Sequence, residues 1–212
     1  DFMAGKDSGQ NVFMLTSFNP GSGKSFLAMN IAMSFAIKKK RILVIDGDLR
    51  HGSTSSYVDS PKTGLSDYLG NRVSDWKEII VKDEKYDNLH IIPIGTVPPN
   101  PTELLEDGKL ATLIEVLRSE YDYIFIDCPP IDIVADAQII EKLADRTVFV
   151  VRSGLLDRSM LPELENIYQE KRFKNLSVIL NGTESAGGRY GYRYGYRNGY
   201  SSYYGNKGKM GG

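Results

Sequence analysis

With 212 residues, of which 41% are hydrophobic and 25% charged, the chain is long enough for one globular domain with a buried core. Its single cysteine, Cys128, excludes an internal disulfide framework and fits a reducing compartment, and no apolar run approaches the ~20 residues of a membrane-spanning helix, nor do the first residues resemble a signal peptide, so this stretch itself is expected to be soluble, a membrane segment upstream staying open. The net charge of −1 conceals an asymmetry: residues 185–212 hold five cations and no acid, which leaves −6 on residues 1–184.

Residues 1–10 are polar and read as a frayed lead-in. Residues 12–16 form a short continuous apolar run, the mark of a strand buried on both faces of a parallel sheet. Ser17-Phe18-Asn19-Pro20-Gly21-Ser22-Gly23-Lys24-Ser25 follows, and then a helix over residues 25–38, with Leu27, Ile31 and Phe35 at helical spacing and Ala28, Ala32 and Ala36 allowing close approach. The cluster Lys38-Lys39-Lys40-Arg41 reads as a solvated helix end favoured by the macrodipole, not as a nucleic-acid patch. A second buried strand, residues 42–45, runs directly into Asp46-Gly47-Asp48-Leu49-Arg50.

Short helices are expected at residues 65–70 and 76–81, with Trp76 in a packing role, and a strand at 89–93. Pro98 and Pro99 forbid regular structure; Thr102 is placed as the cap of a helix through Leu105, and a further helix covers 110–119 with Leu113, Val116 and Leu117 inward. Residues 123–126 make a third strand ending in an aspartate, Asp127, before Cys128-Pro129-Pro130. Cys128 is read as a small core residue, and His51 and His90 receive no role. A helix at 136–143, a strand at 147–151, a helix at 162–173 and a strand at 176–180 ending at Asn181 complete the pattern. Strands alternating with helices predict an α/β fold, a doubly wound, mostly parallel sheet with helices on both faces, and the glycine-rich loop with Lys24 and Ser25 after the first strand makes it a sheet of the P-loop NTPase type.

The Gly-Lys-Ser triplet between a strand and a helix is a phosphate-binding signature. Gly21 and Gly23 let backbone N–H groups turn around an anion, Lys24 supplies a point charge, and Ser25 offers a hydroxyl to a magnesium ion. The strict pattern wants glycine where Phe18 stands. The loop, the pair Asp46 and Asp48, and Asp127 all come from the carboxyl ends of buried strands, the edge where ligands sit in open α/β sheets. Asn19, Pro20, Gly21, Ser22, Gly23, Lys24, Ser25 and Phe26 therefore form the candidate nucleotide cradle, with Asn181 as a partner for adenine. Ser25, Asp46, Asp48 and Asp127 are the candidate ligands of Mg2+ on ATP. Lys24, Asp46, Asp48, Arg50 and Asp127 are the candidate catalytic set, one of Asp46 and Asp48 completing the metal shell and the other accepting a proton from, or orienting, the attacking hydroxyl.

These three segments resemble the Walker A, A′ and B motifs of the bacterial tyrosine kinases (BY-kinases), and Gly64-Leu65-Ser66-Asp67-Tyr68-Leu69 and Pro98-Pro99-Asn100-Pro101-Thr102-Glu103-Leu104-Leu105 are similar to that family as well. The resemblance implies a kinase domain at the cytoplasmic face of the bacterial inner membrane that phosphorylates its own tail tyrosines and those of neighbouring subunits to control export of capsular or exopolysaccharide. It also implies a membrane-embedded activator segment, upstream or on a separate chain, a tyrosine phosphatase, and ring-shaped homo-oligomers, although residues 1–10 hold no counterpart of the Glu- and Arg-bearing helix that docks such subunits.

Residues 1–184 are thus read as the kinase domain and 185–212 as a flexible tail. Tyr190, Tyr192, Tyr194, Tyr196, Tyr200, Tyr203 and Tyr204 lie in the tail among nine glycines, a composition that cannot bury a core. Composition alone leaves two roles open, phosphoacceptors or base-stacking groups of a nucleic-acid binder; the kinase-like site on the same chain favours the first and no nucleic-acid partner. A 28-residue tether spans on the order of 30 Å, enough to reach its own site or a neighbour's. Each phosphate adds about −1.5 to −2 charge, so several would reverse the tail's sign. The competing readings are an ATPase of the partitioning or division-site type, whose usual lysine at the position of Asn19 is missing here, and a nucleotide-gated interaction module.

Overall fold

The computed structural model describes residues 9–131 and 135–183. The seven tail tyrosines and the first eight residues lie outside the described residues.

The architecture follows from how completely the apolar runs are buried. β1 (Val12–Thr16), β2 (Ile42–Asp46) and β5 (Tyr123–Asp127) are buried at every position, as strands covered on both faces must be. They form the middle of a seven-stranded sheet that also contains β3 (Val81–Lys82), β4 (Leu89–Ile92), β6 (Arg146–Arg152) and β7 (Ser177–Asn181), in the order β3-β4-β2-β5-β1-β6-β7. All pairings are parallel except β3 with β4. The doubly wound, mostly parallel sheet expected from the strand–helix alternation is the one observed.

α1 (Lys24–Ile37) covers one face, where Phe13, Leu15, Val44, Phe125 and Val150 pack beneath it. Its buried stripe is Ala28, Met29, Ala32 and Ala36, while Leu27, Ile31 and Phe35 flank that stripe half-buried. Small residues bring this helix close to the sheet. On the other face α2 (Leu65–Leu69), α3 (Pro101–Glu106), α4 (Lys109–Glu120), α5 (Asp136–Glu141) and α6 (Leu161–Gln169) enclose the larger core built on Met14, Leu43, Ile45, Ile124, Ile126 and Phe149.

Several expectations are corrected. The segment read as a helix at 76–81 is a single 3-10 turn, Trp76–Ile79, after which the chain enters the edge strand β3. Two residues of strand are too few to show a period of two. Val116 is 41% exposed; Leu110, Leu113, Ile114 and Leu117 make the buried face of α4. Thr102 does not cap α3, whose N-terminal boundary is Asn100 with Pro101 in the first turn; its hydroxyl is used elsewhere. α6 ends at Gln169, short of the expected 173. Trp76 packs against the core and Cys128 is buried, as expected, and His90, given no role, meets the Tyr121 hydroxyl at 2.7 Å from Nδ1.

Two backbone segments touch where α2 begins. A side chain at Gly64 would run into the Pro93 carbonyl oxygen and the Gly95 amide nitrogen, both backbone atoms that cannot swing aside. Gly64→Ala is expected to lower stability by about 1–3 kcal/mol, the usual cost of overpacking, seen as a lower urea midpoint with an unchanged m-value; an unshifted midpoint would show that the two segments separate freely.

Candidate functional site

Because β1, β2 and β5 are parallel and adjacent, their carboxyl ends deliver three loops to one edge. After β1, Phe18 is buried and meets the Phe149 ring edge-on with centroids 4.8 Å apart. The residue that breaks the strict loop pattern anchors the loop's start in the core. Gly21 and Gly23 then take φ of 73° and 93°, left-handed values that a side chain would strain. A Cβ on Gly23 would also collide with the Asn181 amide.

Two groups hold the loop from outside. Arg152 Nη1 donates to the Gly21 carbonyl at 2.7 Å, and Asn181 Nδ2 donates to the Ser22 carbonyl at 2.9 Å. The Asn19 carbonyl accepts from the Ser17 and Ser22 hydroxyls, both at 2.8 Å. Lys24 Nζ donates to Ser17 Oγ at 3.2 Å.

After β2 and β5, Asp46 and Asp127 stand directly beside one another in the strand register. Both are buried. Asp46 Oδ2 accepts from the Ser55 backbone N–H and Oγ, each at 2.7 Å, and Asp127 Oδ2 accepts from Thr54 Oγ1 at 2.6 Å. The other oxygen of each carboxyl, Oδ1, is buried with no protein partner. Burial pushes the Asp46 carboxyl up to about 7, assisted by the nearby Asp127 and opposed by the Ser55 bonds. Burial raises Asp127 as well, against the pull of Ser25, Thr54 and Lys24. The Lys24 ammonium is held below its ordinary value by burial, the neighbouring Asp127 and Asp48 opposing that shift.

In front of this group lies a cavity of about 500 Å3 lined by Pro20, Gly21, Gly23, Lys24, Ser25, Phe26, Asp48, Arg50, His51, Ser53, Pro129 and Pro130. Phe26, 56% exposed, presents its ring there. The Asp48 carboxylate accepts from the backbone N–H groups of Arg50 and His51 at 3.2 and 3.3 Å, and the His51 ring nitrogen Nδ1 lies 3.2 Å from its Oδ2. A phosphate loop, two cations and a carboxylate thus face one space of nucleotide size, with two more carboxyls behind them.

The AAA domain family model matches residues 11–155. The tyrosine-protein kinase CpsD of Streptococcus pneumoniae is 35% identical over 200 residues, covering 93% of this chain and 84% of that protein. The putative tyrosine-protein kinase EpsB of Ralstonia solanacearum is 36% identical over 192 residues, 88% of this chain but 25% of its own length. Among solved structures, the kinase domain of the Escherichia coli tyrosine kinase ETK superposes with a TM-score of 0.77 at 32% identity, covering 88% of this chain and 72% of that one.

The chain belongs to the bacterial tyrosine kinase family. Its fold is that of a nucleotide-binding P-loop protein, and the family occurs both as chains of similar length and as regions of much longer ones. Of the candidate residues, Pro20, Gly21, Gly23, Lys24, Ser25, Phe26, Asp48 and Arg50 line the cavity; Asp46 and Asp127 lie behind it. Asn19 shapes the loop through its carbonyl, and Asn181 grips the loop's outer side without lining the cavity.

Four contributors to this BY-kinase site went unread in the sequence: Thr54 and Ser55, which hold the two buried carboxyls, His51 beside Asp48, and Arg152. The one legible signal was a Thr-Ser pair soon after an acidic strand end.

A magnesium ion fits this donor set. Among the described residues no three His, Cys, Asp or Glu side chains group so as to hold a metal ion, so the expected set of Asp46, Asp48 and Asp127 does not come together as three ligands. The partnerless Oδ1 atoms of Asp46 and Asp127 are unsatisfied in the way a cation or its waters would correct.

The Asp46 shift makes stability depend on pH. Between the ordinary value of 3.8 and about 7, folded Asp46 keeps a proton that the unfolded chain has released. Its contribution is therefore complete below about pH 4 and is lost as pH rises through 7. Asp46→Asn should flatten this part of the curve in metal-free protein, so that the gap between wild type and variant changes steadily from pH 4 to 7 in denaturant titrations. A gap independent of pH would contradict the buried, proton-holding carboxyl.

Proposed function

We propose that this protein is an ATP-dependent protein-tyrosine kinase whose acceptors include its own tail tyrosines, Tyr190, Tyr192, Tyr194, Tyr196, Tyr200, Tyr203 and Tyr204. The observation that carries the tail assignment is where the body ends. β7 runs parallel to β6, and β6 parallel to β1, so Asn181 lies at the nucleotide edge, bonded to Ser22 of the phosphate loop, and the described chain closes two residues later. A tail starting there, with five cations and no acid, is attached beside a site rich in carboxyls.

Each residue's task follows from its place. The loop amides and Lys24 hold the triphosphate, Lys24 countering charge that develops on the phosphate oxygens. Ser25, with Asp127 and Asp46 behind it, would hold Mg2+, which would supply positive charge against the phosphates. Asp48 lines the cavity and is fixed by two backbone N–H groups, so it is the carboxylate suited to orient the tyrosine hydroxyl and take its proton. Asp46, sealed from the cavity, is suited to the metal's shell. Phe26 offers an exposed ring at the cavity rim.

In the cell this activity would serve polysaccharide export at the cytoplasmic face of the inner membrane, with a membrane-embedded activator, a tyrosine phosphatase and self-association as in the family the chain belongs to. Among the described residues no helix is long and apolar enough to cross a membrane.

Incubating the full chain with ATP and magnesium and measuring its intact mass tests the activity. Mass gains in steps of one phosphate, mapped to residues 189–204, are expected, and Lys24→Met should slow them by about 10² to 10³ while the protein stays folded. ADP production without mass gain would make the protein an ATPase, and neither product would make it a nucleotide-gated binder.

A further inference from the structure

Arg50 is the cation of the cavity whose position the phosphate loop does not explain. It lies past the end of β2, where its backbone N–H donates to the Asp48 carboxylate at 3.2 Å. Its guanidinium is instead held by two side chains from distant parts of the chain. Nε donates to Asp136 Oδ2 at 3.2 Å, and Nη2 donates to Thr102 Oγ1 at 3.1 Å. Thr102 Oγ1 in turn donates to Asp136 Oδ1 at 2.6 Å. The three groups close a ring in which both Asp136 oxygens and the Thr102 hydroxyl are used.

The exposures show which member serves which. The Asp136 side chain is 0% exposed and that of Arg50 is 36% exposed. A sealed carboxylate gains little by pairing with a half-exposed guanidinium, because desolvation offsets much of the attraction. What the pairing does achieve is direction. A guanidinium is a planar fork, and fixing two of its nitrogens fixes the plane in which Nη1 can donate. α3, which carries Thr102, packs on α5, which carries Asp136, so the anchor is as rigid as that helix pair.

We propose that Asp136 and Thr102 are positioning residues that aim the Arg50 guanidinium at the phosphate oxygens of the nucleotide bound in the cavity. This rests on the nucleotide-binding site above and not on which hydroxyl receives the phosphate. Arg50 is preset for its ligand, so none of the binding energy is spent ordering a long side chain at the moment of binding. The first turns of α3 and α5 thereby become part of the site without touching its contents.

The test is a double-mutant cycle on the full chain, read first by the affinity of a fluorescent, non-hydrolysable ATP analogue with magnesium and then by the rate of tail phosphorylation. Asp136→Asn and Thr102→Val should each weaken the analogue about tenfold, and slow phosphorylation by about tenfold to a hundredfold. In an Arg50→Ala background neither change should weaken it further, and Thr102→Ser, which keeps the hydroxyl, should recover most of what Thr102→Val loses. Equal losses with and without Arg50, or a lower melting temperature with unchanged affinity, would overturn the proposal and leave Asp136 a packing residue. Should Asp136→Asn fail to fold, the Thr102→Val and Thr102→Ser pair decides, since a hydroxyl-independent loss refutes the ring. A wild type that binds the analogue but never phosphorylates its tail would sink the kinase reading while the affinity cycle still decides this one.

Discussion

Two carboxyls set side by side at the ends of neighbouring parallel strands are the constraint on which the site depends. Asp46 and Asp127 are adjacent because β2 and β5 pair in that register, and they are dry because both strands are buried throughout. Two like charges in such a place repel each other and lack water to screen them. The protein manages the conflict by keeping protons longer than a free aspartate would, by supplying donors from Thr54 and Ser55, and by placing the Lys24 ammonium nearby. None of these removes it. Each carboxyl still has a buried oxygen without a partner, a deficit that a bound cation would relieve.

That demand explains the shape of the connection after β2. Gly47 must pass where a Cβ would lie 3.0 Å from side-chain atoms of both Ile126 and Ile140 and 3.1 Å from the Asp127 carbonyl, and its N–H donates to that carbonyl at 2.8 Å. The tight passage keeps Asp46 against Asp127 while turning Asp48 outward to the cavity. The chain then returns, and Ser55 joins Asp46 to the Ile94 amide, whose N–H donates to Ser55 Oγ at 2.8 Å. One stretch of ten residues therefore supplies a carboxyl behind the cavity, another that lines it, a guanidinium and the hydroxyls that support the buried pair. Asp46 and Asp48 have the same chemistry and differ in place, Asp48 lining the cavity and Asp46 lying behind it.

The parts of this protein legible in its sequence are those where a short apolar run must be a buried strand. Residues 12–16, 42–45 and 123–126 announce themselves because nothing polar interrupts them, and the loop and aspartates that follow are placed by the parallel rule alone. What stayed hidden depends on contacts between segments far apart. Val116 looked inward by spacing, but the face of α4 is rotated toward Leu110 and Ile114. Thr102 looked like a cap by its neighbours, but Asn100 and Pro101 start the helix and free its hydroxyl for Asp136, 34 positions away. Thr54, Ser55 and Arg152 are ordinary loop or strand-end residues until the fold brings an acceptor to them. Phe18 was a misfit in a motif and became a ring against Phe149.

Backbone planarity shows why the outer grip on the phosphate loop belongs to the site. In a trans peptide the carbonyl and the N–H of the next residue point in opposite directions, and among the described residues no peptide is cis. Arg152 takes the Gly21 carbonyl and Asn181 the Ser22 carbonyl, so the N–H groups of Ser22 and Gly23 are turned away from those two side chains, toward the inside of the loop. The direction of two anion-binding donors is thus set by residues that need never touch the anion. Both residues sit at the carboxyl ends of strands on the β1 side of the sheet, β6 and β7. The last strands of the body therefore complete the loop that begins it, and a chain cut before β7 would lose more than an edge strand: the Ser22 carbonyl would lose the partner that orients its peptide.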